Sequence, residues 1–189
     1  MKFSLFLIMI LFIQSSFSQE KFEREYRLKL EEVPQSAREF VEQFNFNKKV
    51  KWYKEESDKG NSIEAKTKFK GDRYSIEFET NGVLQDLEIT THIDNLTSRA
   101  KSAVLKKFLE DFDKFRIVKI QHQYIGETSV LLEFFNNKSK RKEVTENYEI
   151  VVRGKKDKVY RKYEYLFSAS GKFLSKKRII LRNTDNLEY

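Results

Sequence analysis

A short segment of this sequence occurs twice. Residues 74–84 read YSIEFETNGVL and residues 163–174 read YEYLFSASGKFL, and both alternate between two faces before a glycine-containing turn. Alternation that leads into such a turn and a second strand predicts a β-hairpin. Three pairs of matching residues are each separated by 89 positions: Tyr74 and Tyr163, Phe78 and Phe167, and Gly82 and Gly171. The duplication predicts a chain that contains two copies of one unit.

Residues 19–94 are predicted to form the first copy. Alternating apolar and charged residues predict a leading strand at 20–32. A helix is expected from Pro34 to about Asn45, because proline is tolerated in a first helical turn and Ser36 with Glu39 matches a capping box. Four strands of an antiparallel meander, separated by turn residues, are expected at 50–56, 62–70, 73–79 and 83–91.

Alternation assigns each residue of this meander to one of two faces. The apolar face should pack on the helix and contains Trp52, Ile63, Ala65, Phe69, Tyr74, Ile76, Phe78, Leu87 and Ile89. The opposite face is expected to be polar and exposed to water, and contains Lys51, Tyr53, Glu64, Lys66, Ser75, Glu77 and Glu88.

Residues 95–189 are predicted to form the second copy, with a helix at 98–112 and strands at 116–124, 147–153, 158–167 and 173–181. The offset between the copies is 68 at the helices and 89 at the hairpins, which indicates an insertion of 21 residues. Val130, Leu131, Phe134 and Phe135 recur at helical spacing within that insertion, so a short extra helix is expected near 128–137.

The first 18 residues read as a secretory signal peptide. Lys2 precedes a short apolar run, and Ser16 and Ser18 provide the small residues of a cleavage site after Ser18. The run is too short to span a bilayer comfortably, since about 20 residues are needed. The protein is therefore expected to be exported, either to the periplasm or as a secreted protein, without a stable membrane span after cleavage.

Charge is distributed unevenly along a chain whose net charge is +8. Residues 19–95 contain 14 Lys and Arg against 17 Asp and Glu, whereas residues 96–189 contain 22 against 12. This asymmetry indicates an anionic partner for the second half, attraction between the halves, or simply a basic soluble surface. Nucleic acid is not an expected partner of an exported protein. The chain has no cysteine, so packing alone must stabilise it.

We identify no catalytic, metal or cofactor motif in the sequence. His92 and His122 are far apart and lack partners at ligand spacing, and His122 is expected to be a hydrogen-bonded imidazole at the edge of the core. No phosphate-binding loop or nucleophile elbow is present. The sequence therefore predicts a protein that is not an enzyme; an enzyme would need a pocket of clustered titratable groups with shifted pKa values.

Several short motifs resemble a known bacterial family. They are the Val33-Pro34 helix start, KWYKE at 51–55, and the Tyr-x3-Phe-x3-Gly pattern beginning at Tyr74 and again at Tyr163. Together these resemble the bacterial PepSY-like family, which is related to the tandem β-lactamase-inhibitor fold. The resemblance covers nearly all of 32–181 and implies a small exported α+β module without catalysis. Some relatives bind and inhibit enzymes, but those inhibitors have disulfides, and no inhibitory loop is matched in this chain.

The sequence thus predicts an α+β protein of two tandem repeats, each a helix packed on an antiparallel meander of about four strands. The protein is expected to act as a non-catalytic, inhibitor-like binding module that docks a protein or an anionic envelope component. The alternative is a passive structural or envelope-accessory protein with no soluble ligand. The partner-binding residues expected on the open sheet face are Tyr53, Ile117, Lys119, Gln121, Arg153, Tyr160, Lys162, Glu164 and Leu166.

Overall fold

The computed structural model of the protein describes residues 19–21, 23–57, 60–137 and 143–180. The predicted signal peptide, 1–18, and the basic run 138–142 lie outside these residues. The described helices are α1 (Gln35–Glu42), α2 (Ser98–Asp111) and α3 (Thr128–Asn137). The described strands are β1 (Gln19–Lys21), β2 (Glu23–Leu28), β3 (Lys51–Ser57), β4 (Gly60–Phe69), β5 (Asp72–Glu79), β6 (Leu84–Thr91), β7 (Lys114–Ile125), β8 (Thr145–Lys156), β9 (Val159–Ser168) and β10 (Phe173–Ile179).

These strands form a single sheet in the order β1-β10-β9-β8-β7-β6-β5-β4-β3-β2. All neighbours are antiparallel except β1, which runs parallel to β10. The predicted α+β class is therefore confirmed. Strands β3–β6 and β7–β10 follow one another across the sheet, and β6 pairs with β7, with Ile89 opposite His122.

Two apolar cores lie on one face of this sheet, each beneath a helix. In the first half, the ring of Phe40 on α1 packs edge-on against Phe78, with ring centroids 5.8 Å apart. In the second half, Phe108 on α2 packs edge-on against Tyr165 at 5.0 Å. Phe78 and Phe167 are 0% and 1% exposed, which confirms both as core residues.

The turn at Gly82 fixes the start of α1 against the β5–β6 hairpin. Gly82 has a positive φ of 88°, and a Cβ there would lie 2.2 Å from Oγ of Ser36. The predicted capping box is wrong, because Pro34 occupies the N-cap and the Ser36 hydroxyl instead donates a 3.2 Å hydrogen bond to the carbonyl of Gly82. That tertiary bond replaces the local cap.

Helix α3 occupies the residues predicted for the inserted helix and packs across the boundary between the two halves. Leu131 is fully buried. Phe135 contacts Tyr124 of β7 and Phe44 beyond α1, with ring centroids 5.1 and 5.9 Å apart. Because the insertion belongs to the second half and Phe44 to the first, α3 ties the two halves together.

The N-terminal strand joins the two edges of the sheet. Gln19 of β1 pairs with Lys177 of β10, whereas Glu23 of β2 pairs with Ser57 of β3. A single residue separates β1 from β2, and consecutive Cα atoms are about 3.8 Å apart. The β10 and β3 edges must therefore meet at this point, so the sheet curls around and encloses the face opposite the helices. A single leading strand was predicted here, and it is divided between the two edges.

Candidate functional site

The enclosed side of the sheet, which we call the concave face, is polar and largely buried. Its polar residues with no more than 6% exposure are Glu64, Ser75, Glu88, Gln121, Asn147 and Glu164. The prediction that this face is exposed to water is therefore wrong for its centre, because the curled sheet shields side chains that a flat sheet would expose. Two cavities of opposite charge lie along this face.

The larger cavity, which we call the mouth, has a volume of about 690 Å³. Its lining includes seven cationic side chains: Lys48, Lys49, Lys51, Lys66, Lys68, Arg73 and Lys119. Among the residues that line it, Glu64 alone carries a carboxylate. All of these cations except Lys66 are exposed at its rim, so the mouth presents positive charge to solvent.

Lys66 is held in the mouth by two carboxylates. Its Nζ lies 2.8 Å from Oε1 of Glu25 and 2.8 Å from Oε2 of the buried Glu64. Burial alone would lower the pKa of Lys66, but the charges of Glu64 and Glu25 raise that pKa above its ordinary value. Oxygens of Glu25, Glu55 and Glu64 lie within 4.8 Å of one another, a spacing that suits a metal ion. The Lys66 ammonium provides positive charge to two members of that cluster.

The aromatic ring of Tyr53 in the mouth is also surrounded by cations. The Arg27 guanidinium and the Lys66 ammonium each lie 5.1 Å from the ring centroid, and Arg27 donates a 3.2 Å hydrogen bond to the Tyr53 hydroxyl. Cations over a tyrosine face are attracted to its π-electrons. The mouth therefore presents charge rather than a bare aromatic surface.

The smaller cavity, which we call the chamber, has a volume of about 290 Å³ and lies beside the point where the two sheet edges meet. Six carboxylates line it: Glu55, Glu77, Asp86, Glu88, Glu149 and Glu164. Lys21 of β1 and Lys177 of β10 are its cationic lining residues. Both lysines form ion pairs with Glu164, and the Lys177 pair measures 3.4 Å.

Burial strongly changes the titration of the chamber carboxyls. It raises the pKa of Glu77 to about 9, with further repulsion from Asp86. Burial also raises the pKa of Asp86 to about 7, and repulsion from Glu149 acts in the same direction. A 2.9 Å hydrogen bond that Gln123 donates to Asp86 partly offsets this rise. The pKa of Glu88 is also raised by burial and by Glu149, and its carboxylate accepts a hydrogen bond from Gln121. Glu77 lies directly opposite Asp86, a like-charge pair that favours protonation.

Eight of the nine residues predicted to bind a partner lie on the concave face. Tyr53, Lys119 and Gln121 line the mouth, and Glu164 and Leu166 line the chamber. Strand alternation places the other three on the same face: Arg153 of β8 pairs with Lys162 of β9, and Tyr160 of β9 pairs with Lys155. The Arg153 guanidinium lies 4.7 Å from the centroid of the Tyr160 ring, which is 49% exposed.

Ile117 is the exception, and its predicted position on the open face is wrong. Its side chain packs against the core beneath α2. A register shift between Ile117 and Lys119, seen in the pairing of β7 with β8, inserts one residue and reverses the alternation. Val118, the extra residue, is exposed instead.

Four of the cations that line the mouth were not predicted to lie on the open sheet face: Lys48, Lys49, Lys68 and Arg73. Lys48 and Lys49 lie between α1 and β3, and Lys68 pairs across β4–β5 with Arg73. They belong to the half of the chain with net negative charge, so a count of charges over that half conceals them. The sequence signal that would have found them is the spacing of Lys66, Lys68 and Arg73 around one hairpin.

The two histidines occupy separate environments. His122 accepts or donates a 2.9 Å hydrogen bond with the Tyr124 hydroxyl and lies 3.0 Å from the Glu146 carboxylate, which confirms the expected hydrogen-bonded imidazole. His92 is largely exposed beside Asp94.

No protein-family model matches the chain, and no curated protein matches it. Three solved structures resemble it. A DUF2874 family protein from Bacteroides ovatus gives a TM-score of 0.52 at 15% identity, over 77% of this chain and 87% of that one. A protein from Bacteroides eggerthii described as periplasmic gives a TM-score of 0.52 at 12% identity, over 77% of this chain and 88% of that one. A BLIP-like protein from Bacteroides fragilis gives a TM-score of 0.48 at 16% identity, over 83% of this chain and 92% of that one.

Within the described residues, no helix has both the length and the apolar character needed to cross a bilayer. At these identities the likeness concerns the fold alone. By that likeness, this chain shares the fold of the Bacteroides ovatus and Bacteroides eggerthii proteins.

Proposed function

We propose that this protein is an exported, non-catalytic interaction module that docks an acidic protein partner on its concave face. The observation that carries the proposal is the mouth, where seven cationic side chains surround a cavity of about 690 Å³. Exposed cations around a concavity attract and orient anionic partners. Because cations already lie over the Tyr53 ring, the mouth favours an acidic protein surface over a sugar that would stack on an aromatic face.

The cations predicted in the second half extend this docking surface beyond the mouth. Arg153 and Lys162 pair across β8 and β9, and Tyr160 lies beside Arg153 with half of its surface exposed. An exposed aromatic residue among cations is typical of an anchor within a polar interface. In this proposal Tyr160 and Leu166 anchor the partner, while Lys119, Arg153 and Lys162 attract it.

Export rests on the signal-peptide pattern of residues 1–18. The structural likeness to a Bacteroides eggerthii protein described as periplasmic supports a periplasmic or secreted location. The alternative function, a passive envelope-accessory protein, would require no partner at the mouth.

We also propose that the two halves, 19–94 and 95–189, are PepSY-like repeats of one ancestral unit, as in β-lactamase-inhibitor-like folds. The two matching glycines support this proposal. Gly171, like Gly82, has a positive φ, and each packs against the first turn of its own helix. A Cβ on Gly171 would lie 2.9 Å from Cα of Ala100 on α2.

A site-specific crosslinking experiment tests the docking surface. Because the chain has no cysteine, a photo-crosslinker can be attached through a single introduced cysteine, at Lys68 in the mouth or at Lys106 on the outer side of α2 as the matched control. We expect an acidic envelope protein to be crosslinked from position 68 and not from position 106. Adding Arg73→Glu, or Tyr160→Ala with Lys162→Glu, should reduce capture at least tenfold.

Two outcomes would contradict the proposal. Equal crosslinking from both positions would indicate nonspecific contact, and no specific capture from either would favour the passive envelope role.

Catalysis is the second candidate, because the chamber collects carboxyls with raised pKa values of the kind that general acids use. Glu77→Gln and Asp86→Asn should leave capture by the mouth unchanged, whereas an enzyme would lose turnover of the captured partner.

A further inference from the structure

The chamber and the junction of the two sheet edges share structural components. Lys21 of β1 lines the chamber and forms an ion pair with Glu164. The carbonyl of the same residue accepts a 3.0 Å hydrogen bond from the amide of Ile180, at the end of β10. The strand that holds β10 against the opposite edge is therefore also part of the chamber wall.

Charged and titratable groups line the chamber or face its carboxyls from every strand around it except β7. Those that line it are Lys21 of β1, Glu55 of β3, Glu77 of β5, Asp86 and Glu88 of β6, Glu149 of β8, Glu164 of β9 and Lys177 of β10. From the mouth side, Glu25 of β2 lies within 4.8 Å of Glu55, and Glu64 of β4 acts on Glu77. β7 contributes the amide Gln123, and its Lys119 acts on Glu88 from the mouth side. Both chamber lysines pair with Glu164, so the carboxyls of β5 and β6 face mainly one another.

We propose that the N-terminal strand is a proton-dependent latch. It holds the β10 edge against the β3 edge while the chamber carboxyls carry protons, and it releases β10 when they ionise. The latch lies at the opposite end of the concave face from the mouth and does not depend on the proposed function.

The direction of the effect follows from linkage between protonation and opening. Burial is the largest cause of the raised pKa values of Asp86 and Glu77, which are about 7 and about 9 against ordinary values of 3.8 and 4.5. Opening the junction admits water and brings these pKa values down. The closed form therefore binds more protons than the open form, and rising pH favours opening. The charge of Lys21 lowers the pKa of Asp86 less than the other groups change it, so losing Lys21 alters this balance little.

The short β1 is the part of the sheet that can open most easily. It pairs with β10 through three residues, whereas β8 pairs along its length with both β7 and β9. Few pairs at the edge of a sheet are typical of segments that open without global unfolding. Release of β1 from β10 would widen the concave face and leave both helix-side cores intact.

Amide hydrogen exchange of the wild-type protein between pH 6 and 9.5 tests the latch. The Ile180 amide reports the β1–β10 contact, and the amide of Ile150 in β8 reports global unfolding. After correction for the intrinsic rate at each pH, we expect the opening constant at Ile180 to rise by up to about tenfold per pH unit above pH 7. The opening constant at Ile150 should stay far smaller than that at Ile180 throughout.

Matched variants identify the groups responsible. Glu77→Gln with Asp86→Asn should flatten the pH profile at Ile180, while Glu110→Gln, on the exposed side of α2, should leave it unchanged. A flat wild-type profile at Ile180 would overturn the latch. Equal opening constants at Ile180 and Ile150 at every pH would also overturn it, since β10 would then open only when the whole protein unfolds.

Discussion

The mouth and the chamber lie on the same concave face but differ in how their charges meet water. The mouth has exposed cations at its rim, and its buried carboxylate, Glu64, has the Lys66 ammonium beside it. The chamber places carboxyls from adjacent strands opposite one another, as in the pair Glu77 and Asp86, and burial raises their pKa values. Charge at a rim can attract a partner, whereas charge in an enclosed space responds to pH.

The largest expected effect concerns the scaffold that both cavities share. Phe78→Ala and Phe167→Ala should each reduce the free energy of unfolding by about 3–5 kcal/mol, because each removes a fully buried ring. Chemical denaturation would measure both losses. A loss below about 1 kcal/mol at either position would show that the corresponding half is not held by its helix-side core.

These two core positions were predictable from the sequence because the repeat and its alternation determine them. The same alternation failed at Ile117, where one inserted residue in β7 reverses the faces. It also failed to predict the burial of Glu64 and Glu88, because a pattern of period two describes which side a residue faces and not whether the sheet curls around that side. Curling depends on the pairing of residues 19–21 with residues 177–179, a contact that local sequence does not encode.

The second prediction tests the chamber. Because the folded pKa of Glu77 is about 9 and its ordinary value is 4.5, its protonation stabilises the fold near pH 4 and that contribution is lost as pH rises toward 9. Glu77→Gln should therefore unfold like the wild type at pH 4 and be about 1–3 kcal/mol more stable at pH 8. Urea titrations at both pH values would measure this. A variant less stable than the wild type at pH 8 would mean that the chamber needs this carboxylate ionised.

A third prediction concerns the buried charge of the mouth. Lys66→Met removes the ammonium that lies beside both Glu25 and Glu64, and Glu64 then remains buried without it. Since Lys66 is partly exposed, we expect a loss of about 1–2 kcal/mol at pH 7. Lys54→Met, which removes an exposed ion pair with Glu56, is the control and should change stability little.

The smallest expected change in stability is at the rim of the mouth. Lys68→Glu and Lys119→Glu should each alter the free energy of unfolding by less than about 0.5 kcal/mol, because both side chains are exposed. The same variants should weaken association with the acidic partner and reduce its salt dependence. A large loss of stability at either position would show that the rim cations support the fold rather than recognition.

The division of the N-terminal strand also has a consequence for folding kinetics. Gln19 and Lys177 pair across nearly the whole chain, whereas α1 and α2 pack on strands close to them in sequence. Contacts between residues far apart in sequence form slowly, because the chain entropy of closing a long loop is lost before the contact is made. The two halves can therefore acquire their cores first, and the β1–β10 contact should form last. We expect a substitution in β1, such as Lys21→Met, to accelerate unfolding while leaving the folding rate nearly unchanged.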